Sequence, residues 1–113
     1  MRMWMVAPSL LCRKHLLGEH GELHKHLHNW RKRHRIDGRI AGNAIEPRAY
    51  KRRHDALARE MLRRGYRHNS PLAQPDFTYL PRAQQLATVD QAAALALLLE
   101  RCEHCAARRG GGE

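Results

Sequence analysis

Apolar positions in the first third of the chain recur at helical spacing. Leu16, Leu23, Leu27 and Trp30 fall on one stripe of a helix. His15, Glu19, Glu22 and His26, at spacings of four, three and four, fall on the stripe beside it. Acid and imidazole groups placed there lie along the edge of the buried face, where a carboxylate is partly desolvated and its proton affinity can be tuned. Pro8 suits a first helical turn and Ser9 offers a hydroxyl there. The pattern predicts a first helix from residue 8 to about 34, and leaves residues 1–6 as a short arm packed against the helices.

Further along, Tyr50, His54, Leu57 and Met61 form a second stripe with Ala58 and Leu62 beside it, predicting a helix over 47–64 with Gly65 as its C-cap. Between the two helices, Ile36-Asp37-Gly38-Arg39 and Gly42-Asn43 are turn signals. Residues 66–81 read as a loop pinned by Leu72, Phe77, Tyr79 and Leu80. Thr88-Val89-Asp90-Gln91 has the form of a capping box. It opens a third helix whose positions 92–99 are apolar nearly all round, the pattern of a buried helix. The chain from Arg108 onward reads as frayed. With one Phe and few Val or Ile, the composition favours helix over sheet. A chain of 113 residues and 42% hydrophobic content supports one core. The expectation is an all-α single domain of about three main helices over 1–109, a disordered tail at 110–113, and no internal repeat.

Charge changes the picture. A formal net charge of +10 creates a positive field that attracts polyanions, so nucleic acid is the leading partner on charge alone. A solvated basic protein of another kind fits the same number. One cationic cluster, Arg31-Lys32-Arg33-His34-Arg35, ends the first helix; a second, Arg48, Lys51, Arg52 and Arg53, opens the next. Two such helix ends can flank a groove that tracks phosphates. No N-terminal apolar run is long enough for a signal peptide or a membrane span, because Arg2 and Pro8 interrupt it. The expectation is a cytoplasmic protein, associated with the nucleoid if DNA is its partner, and no membrane contact. Three cysteines suit a reducing compartment better than a disulfide framework. Cys102 and Cys105 form a lone C-x-x-C, half a zinc site. Cys12 and a histidine of the first helix would complete it and tie the third helix to the first; otherwise the pair is two helix-terminal thiols, and no metal is assigned. Three cysteines also fall short of the usual iron–sulfur set.

The order of local motifs is more specific than any of them alone. The chain runs Met1-Arg2-Met3-Trp4, then Cys12-Arg13-Lys14-His15-Leu16-Leu17-Gly18-Glu19-His20-Gly21-Glu22-Leu23, then His54-Asp55, Glu60-Met61, Arg64-Gly65-Tyr66 and His68-Asn69-Ser70-Pro71-Leu72. Over roughly residues 1–72 this resembles the pyrimidine dimer DNA glycosylases of the phage endonuclease V type, and most of all their short bacterial branch.

The resemblance implies a glycosylase with abasic-site lyase activity on damaged double-stranded DNA, acting as a monomer without a cofactor. In that family an N-terminal α-amine attacks the anomeric carbon of a damaged nucleotide, a Schiff base forms, and β-elimination nicks the strand. The matching positions are Met1 for the amine, retained because a bulky Arg2 opposes its removal, and Glu22 for the catalytic carboxylate. Glu19, a turn away, has an expected burial and stability contribution similar to Glu22, and two nearby carboxylates push one pKa upward. Candidate DNA contacts are Arg2, Arg13, His15, Lys25 and Arg31, joined by Arg48, Lys51, Arg52 and Arg53 from the second cluster. Gly21 stands where the family has another Arg. Gly18 and Gly21, each costing roughly 1 kcal/mol in a helix, are expected either to let the arm or a DNA backbone approach beside Glu22, or to be tolerated or mark a kink. The aromatic C-terminal segment of the phage protein has no counterpart, which implies a different lesion range.

Overall fold

The computed structural model describes residues 2–33, 38, 44–68 and 70–110, without the side chains of 109 and 110. Met1, most of the 34–43 connection with His34 and Arg35, Asn69 and residues 111–113, on which the N-terminal amine, part of the first basic cluster, the turn signals and the tail were expected, lie outside the described residues. Every regular element among the described residues is helical, as the composition predicts. The α-helices are α1 (Arg13–Lys25), α2 (Leu27–Arg31), α3 (Tyr50–Arg63), α4 (Arg82–Gln85), α5 (Gln91–Arg101) and α6 (Glu103–Gly110), with single 3-10 turns at Pro8–Leu10 and Pro47–Ala49.

The predicted first helix is three pieces, and each break has a cause. Arg64 of the α3 C-terminus donates to the Leu11 carbonyl at 2.6 Å, an acceptor a continuing helix would use, and at 3.2 Å shares the Pro8 carbonyl with the Leu11 N–H of the 3-10 turn. Cys12 is the extended N-cap of α1, and its N–H donates to Cys105 Sγ at 3.2 Å. The second break falls at His26. There the Tyr50 hydroxyl donates to the Leu23 carbonyl at 2.5 Å, the acceptor a continuous helix would offer to the Leu27 N–H. The break is not at the glycines. A Cβ on Gly18 or Gly21 would meet nothing within 4 Å, so no described segment of the protein crowds either position.

The stripes lead to the core. Leu16, Leu23 and Trp30 are buried on one side, and Tyr50, Leu57 and Met61 of α3 meet them. Trp30, Tyr50 and Phe77 pack as an aromatic trio with centroids 5.7 to 6.2 Å apart, largely edge to face. Leu72, Phe77 and Leu80 pin the 66–81 loop as expected. Gln74 adds a polar pin by accepting from the Lys51 N–H and donating to the Pro47 carbonyl, both at 2.9 Å. Gly65 adopts φ +85° and ends α3, with the Tyr66 N–H returning to the Met61 carbonyl and the Gly65 N–H to Leu62. Leu62 departs from expectation: it lies beside the stripe but is 57% exposed.

The third predicted helix is shifted and half-covered. Asp90, not Thr88, caps α5 by accepting from the Ala93 N–H at 3.0 Å. Only Ala94 and Leu98 of α5 are buried, because a domain this small covers one face of the helix. Extended backbone at Cys102 separates α5 from α6, which continues to Gly110 where fraying was expected from Arg108. No helix among the described residues is long and apolar enough to cross a membrane.

Candidate active site

The N-terminal arm is seated with alternating side chains. Met3 is fully buried, its N–H donates to the Ala44 carbonyl at 2.7 Å, and its sulfur accepts from the Glu46 N–H at 3.4 Å. Arg2 and Trp4, on either side of Met3, turn instead into an open cleft of about 530 Å³ shared with Lys14, His15, Gly18, Glu19 and Glu22. The Arg2 guanidinium lies 5.2 Å over the Trp4 ring, and Trp4 meets His15 edge-on at 5.8 Å. Met1, one residue upstream, is outside the described residues.

The two carboxylates of α1 have different surroundings, contrary to the expectation of similar burial. Glu22 is 37% exposed at the cleft and accepts from His26 Nε2 at 2.9 Å. Asn29 Nδ2 lies 2.8 Å from His26 Nδ1, which fixes that nitrogen as the acceptor and Nε2 as the protonated one. Glu19 is withdrawn. Its side chain is fully buried in a two-pronged pair with Arg53 at 2.6 and 2.8 Å. A carboxylate gripped in this way is committed to holding the fold together.

Arg53 is corrected with it. It was a candidate phosphate contact, but it is 5% exposed and donates a further bond to the Val6 carbonyl at 2.6 Å, so its nitrogens face inward. Its neighbours Arg48, Lys51 and Arg52 are exposed. Arg48, Lys51, Arg52 and Arg59 line a second cleft of about 580 Å³ together with Asp55 and Gln74. Lys51 pairs with Asp55 at 2.5 Å on the exposed rim, and the exposed Arg52 reaches the largely covered Glu46 at 3.8 Å. Arg13 is exposed and its guanidinium sits 5.4 Å over the Tyr66 ring. Lys25 and Arg31 are exposed at the ends of α1 and α2.

The described residues also hold two clusters of metal-ligating side chains. Cys12, His15, Cys102 and Cys105 bring one ligand atom each to within 4.8 Å of one another, the set that the C-x-x-C spacing hinted at. All three cysteines are reduced and buried, and burial pushes the Cys105 thiol up to about 12. His15 Nδ1 lies 3.3 Å from Cys12 Sγ and 3.6 Å from Cys105 Sγ, so the ring that borders the Glu22 cleft is also part of this cluster. Burial, then the Lys14 charge, hold His15 below the ordinary imidazole range, against a smaller opposing pull from Glu19.

Sequence reasoning missed the second cluster, formed by His20, His24, His54 and His68. The available signal was the i, i+4 pair His20 and His24, which share a helix face. Burial, with the neighbouring His54, His24 and His68, lowers the His20 pKa to about 4.

Neither the curated proteins nor the solved structures contain a significant match to this chain. Residues 1–74 match the family model of pyrimidine dimer DNA glycosylases, and they hold the arm, α1, Glu22 and all of α3. With well over half of its residues inside that match, the chain belongs to the pyrimidine dimer DNA glycosylase family of DNA-repair proteins.

Proposed function

We propose that the cleft between the arm and α1 is the catalytic centre of a DNA glycosylase and abasic-site lyase, with the Met1 α-amine as nucleophile. The observation that carries this reading is the position of Glu22: an accessible carboxylate, oriented by His26, in a cleft lined by Arg2 and Trp4 of the residues that follow Met1. An α-amine has a reference pKa of roughly 7.7 to 8.0, so an appreciable fraction is unprotonated near neutral pH. It attacks C1′ as the glycosidic bond breaks and the damaged base leaves with a proton. The sugar ring then opens to an imine, loss of the C2′ proton expels the 3′ phosphate, and water frees the amine.

Glu22 stabilises the cationic sugar and carries protons in these steps. Arg2 and Lys14 attract the flanking phosphates, and Trp4 offers a face to a displaced base. Pyrimidine dimers and abasic sites are the proposed lesions, because a damaged nucleotide leaves the stack at lower cost than an intact one. The exposed cations of the α3 cleft extend the DNA track.

Single-turnover kinetics on dimer-containing and abasic duplexes test the role of Glu22. Glu22→Gln is expected to bind DNA as the wild type does, yet lose glycosylase rate by about 100- to 10,000-fold. A rate within a few-fold of wild type would remove Glu22 from the mechanism.

A further inference from the structure

We infer that His20, His24, His54 and His68 form a binding site for a divalent first-row transition metal ion that is separate from the DNA cleft. The four imidazoles come from three parts of the chain: α1 supplies His20 and His24, α3 supplies His54, and the segment after the Gly65 turn returns with His68. The Nε2 atoms of His24 and His54 are 2.9 Å apart, and those of His68 and His54 are 3.4 Å apart. A zinc ion held tetrahedrally by nitrogens at about 2.0 to 2.1 Å spaces them about 3.3 to 3.4 Å apart. One of these separations matches that spacing and the other is shorter, and all four ligand atoms lie within 4.8 Å of one another.

Hydrogen bonding within the protein accounts for only part of the arrangement: one proton shared between the Nε2 atoms of His24 and His54 explains their 2.9 Å contact, but not the convergence of His20 on the same point. His54 Nδ1 faces Asp55 Oδ1 at 2.9 Å, so it donates there and turns a lone pair on Nε2 toward the other rings. The Ser70 carbonyl, 3.1 Å from the same Nε2, would accept its proton in the other tautomer, and a bound cation would take that proton's place. His20 Nε2 is buried and has no hydrogen-bond partner among the described residues. A buried ring nitrogen left in this way costs free energy that a bound cation would recover. Asp55, itself held by Lys51 at 2.5 Å, is the kind of outer carboxylate that fixes the tautomer of a metal-bound imidazole. An all-imidazole set selects zinc, copper, nickel or cobalt over calcium and magnesium. Four protein ligands leave no open position, so the ion is structural and staples α1, α3 and the following loop.

The direct test uses the chain stripped of metal and titrated with cobalt, whose spectrum reports its ligands. With Cys12, Cys102 and Cys105 all changed to Ser, one equivalent is expected to bind with ligand-field bands and no thiolate charge-transfer band. His20→Gln or His68→Gln in that background is expected to abolish binding, and Asp55→Asn to weaken it by about 10- to 100-fold. No cobalt uptake, or uptake indifferent to both histidine substitutions, overturns the site. Should the cysteine-free chain fail to fold, His68→Gln in the wild type must lower bound cobalt by one equivalent, and an unchanged stoichiometry overturns it equally.

An independent set of distances carries a second site: the structure assigns Cys12, His15, Cys102 and Cys105 to a zinc ion. Zinc held by thiolates at about 2.3 Å and by an imidazole at about 2.0 to 2.1 Å spaces sulfurs about 3.8 Å apart and sulfur from nitrogen about 3.6 Å. The Cys12 and Cys102 sulfurs are 3.8 Å apart, and His15 Nδ1 is 3.3 and 3.6 Å from the sulfurs of Cys12 and Cys105. Two backbone donors already point at sulfur, the Cys12 N–H at Cys105 and the Cys105 N–H at Cys102. Zinc binding would release the thiol protons to solvent and clamp α6 to the start of α1, beside the cleft that His15 borders. Cobalt in the wild-type chain is expected to show an intense thiolate charge-transfer band that Cys105→Ser greatly diminishes. Absence of that band, or its full survival in both Cys12→Ser and Cys105→Ser, overturns the assignment.

Discussion

Arg53 on α3 grips Glu19 on α1 through two parallel hydrogen bonds, Nε to Oε2 at 2.6 Å and Nη2 to Oε1 at 2.8 Å. Its remaining terminal nitrogen, Nη1, donates to the Val6 carbonyl at 2.6 Å, so one guanidinium locks the arm and both main helices together. The pair is buried on both sides, and that burial separates a structural carboxylate from the one exposed at the cleft.

Breaking this pair is therefore expected to destabilise the fold far more than removing the Glu22 charge. Arg53→Met leaves the Glu19 carboxylate buried without its partner, a loss of about 3 to 5 kcal/mol. Glu22→Gln disturbs one partly exposed pair with His26 and is expected to cost about 1 kcal/mol or less. Urea denaturation of the two variants measures the difference, and equal midpoints would contradict it.

The periodicity of α1, α2 and α3 was legible because apolar residues recur at helical spacing and most of them bury: Leu16, Leu23, Trp30, Tyr50 and Leu57 lie in the core, while Leu27 of the same stripe is half-buried. The breaks at residues 11–12 and at His26 were not legible, because each is made by a distant donor, Arg64 and Tyr50. The same holds at the site. Spacing alone places Glu19 and Glu22 alike along the helix edge, and only the position of Arg53 in space tells them apart. The histidine cluster went unread for a related reason. Its members are separated by 4, 30 and 14 residues, and only the contact between α1 and α3, with the return of the chain after Gly65, brings them together.

Salt dependence distinguishes cations that meet phosphates from those that serve the fold. Neutralising Arg48, Lys51 and Arg52 together is expected to lower the magnitude of the log affinity versus log salt slope on duplex DNA by up to about 2.7. An unchanged slope would mean that the α3 cleft does not touch DNA.

Acid stability is expected to run through Glu60. Its hydrogen bonds from Arg63, with those from Arg64 and against the opposing effect of burial, hold its pKa at about 2 where the ordinary value is 4.5. The folded pKa is depressed, so this stabilisation is fully present above pH 4.5 and is lost as pH falls toward 2. The difference corresponds to at most about 3 kcal/mol, less screening by solvent around the exposed Arg63. Stability measured across that window should fall steeply in the wild type and more gently in Glu60→Gln; parallel curves would contradict the assignment.

The central claim is that the Met1 amine forms a covalent imine with damaged DNA beside Glu22, and borohydride trapping tests it most directly. Reduction during turnover on an abasic or dimer-containing duplex is expected to yield a stable one-to-one protein–DNA adduct, with the DNA attached to the N-terminal peptide. Acetylating the α-amine is expected to abolish the adduct while leaving DNA binding in place. Full trapping by the acetylated protein, or no adduct from the unmodified protein on either lesion, would contradict the account.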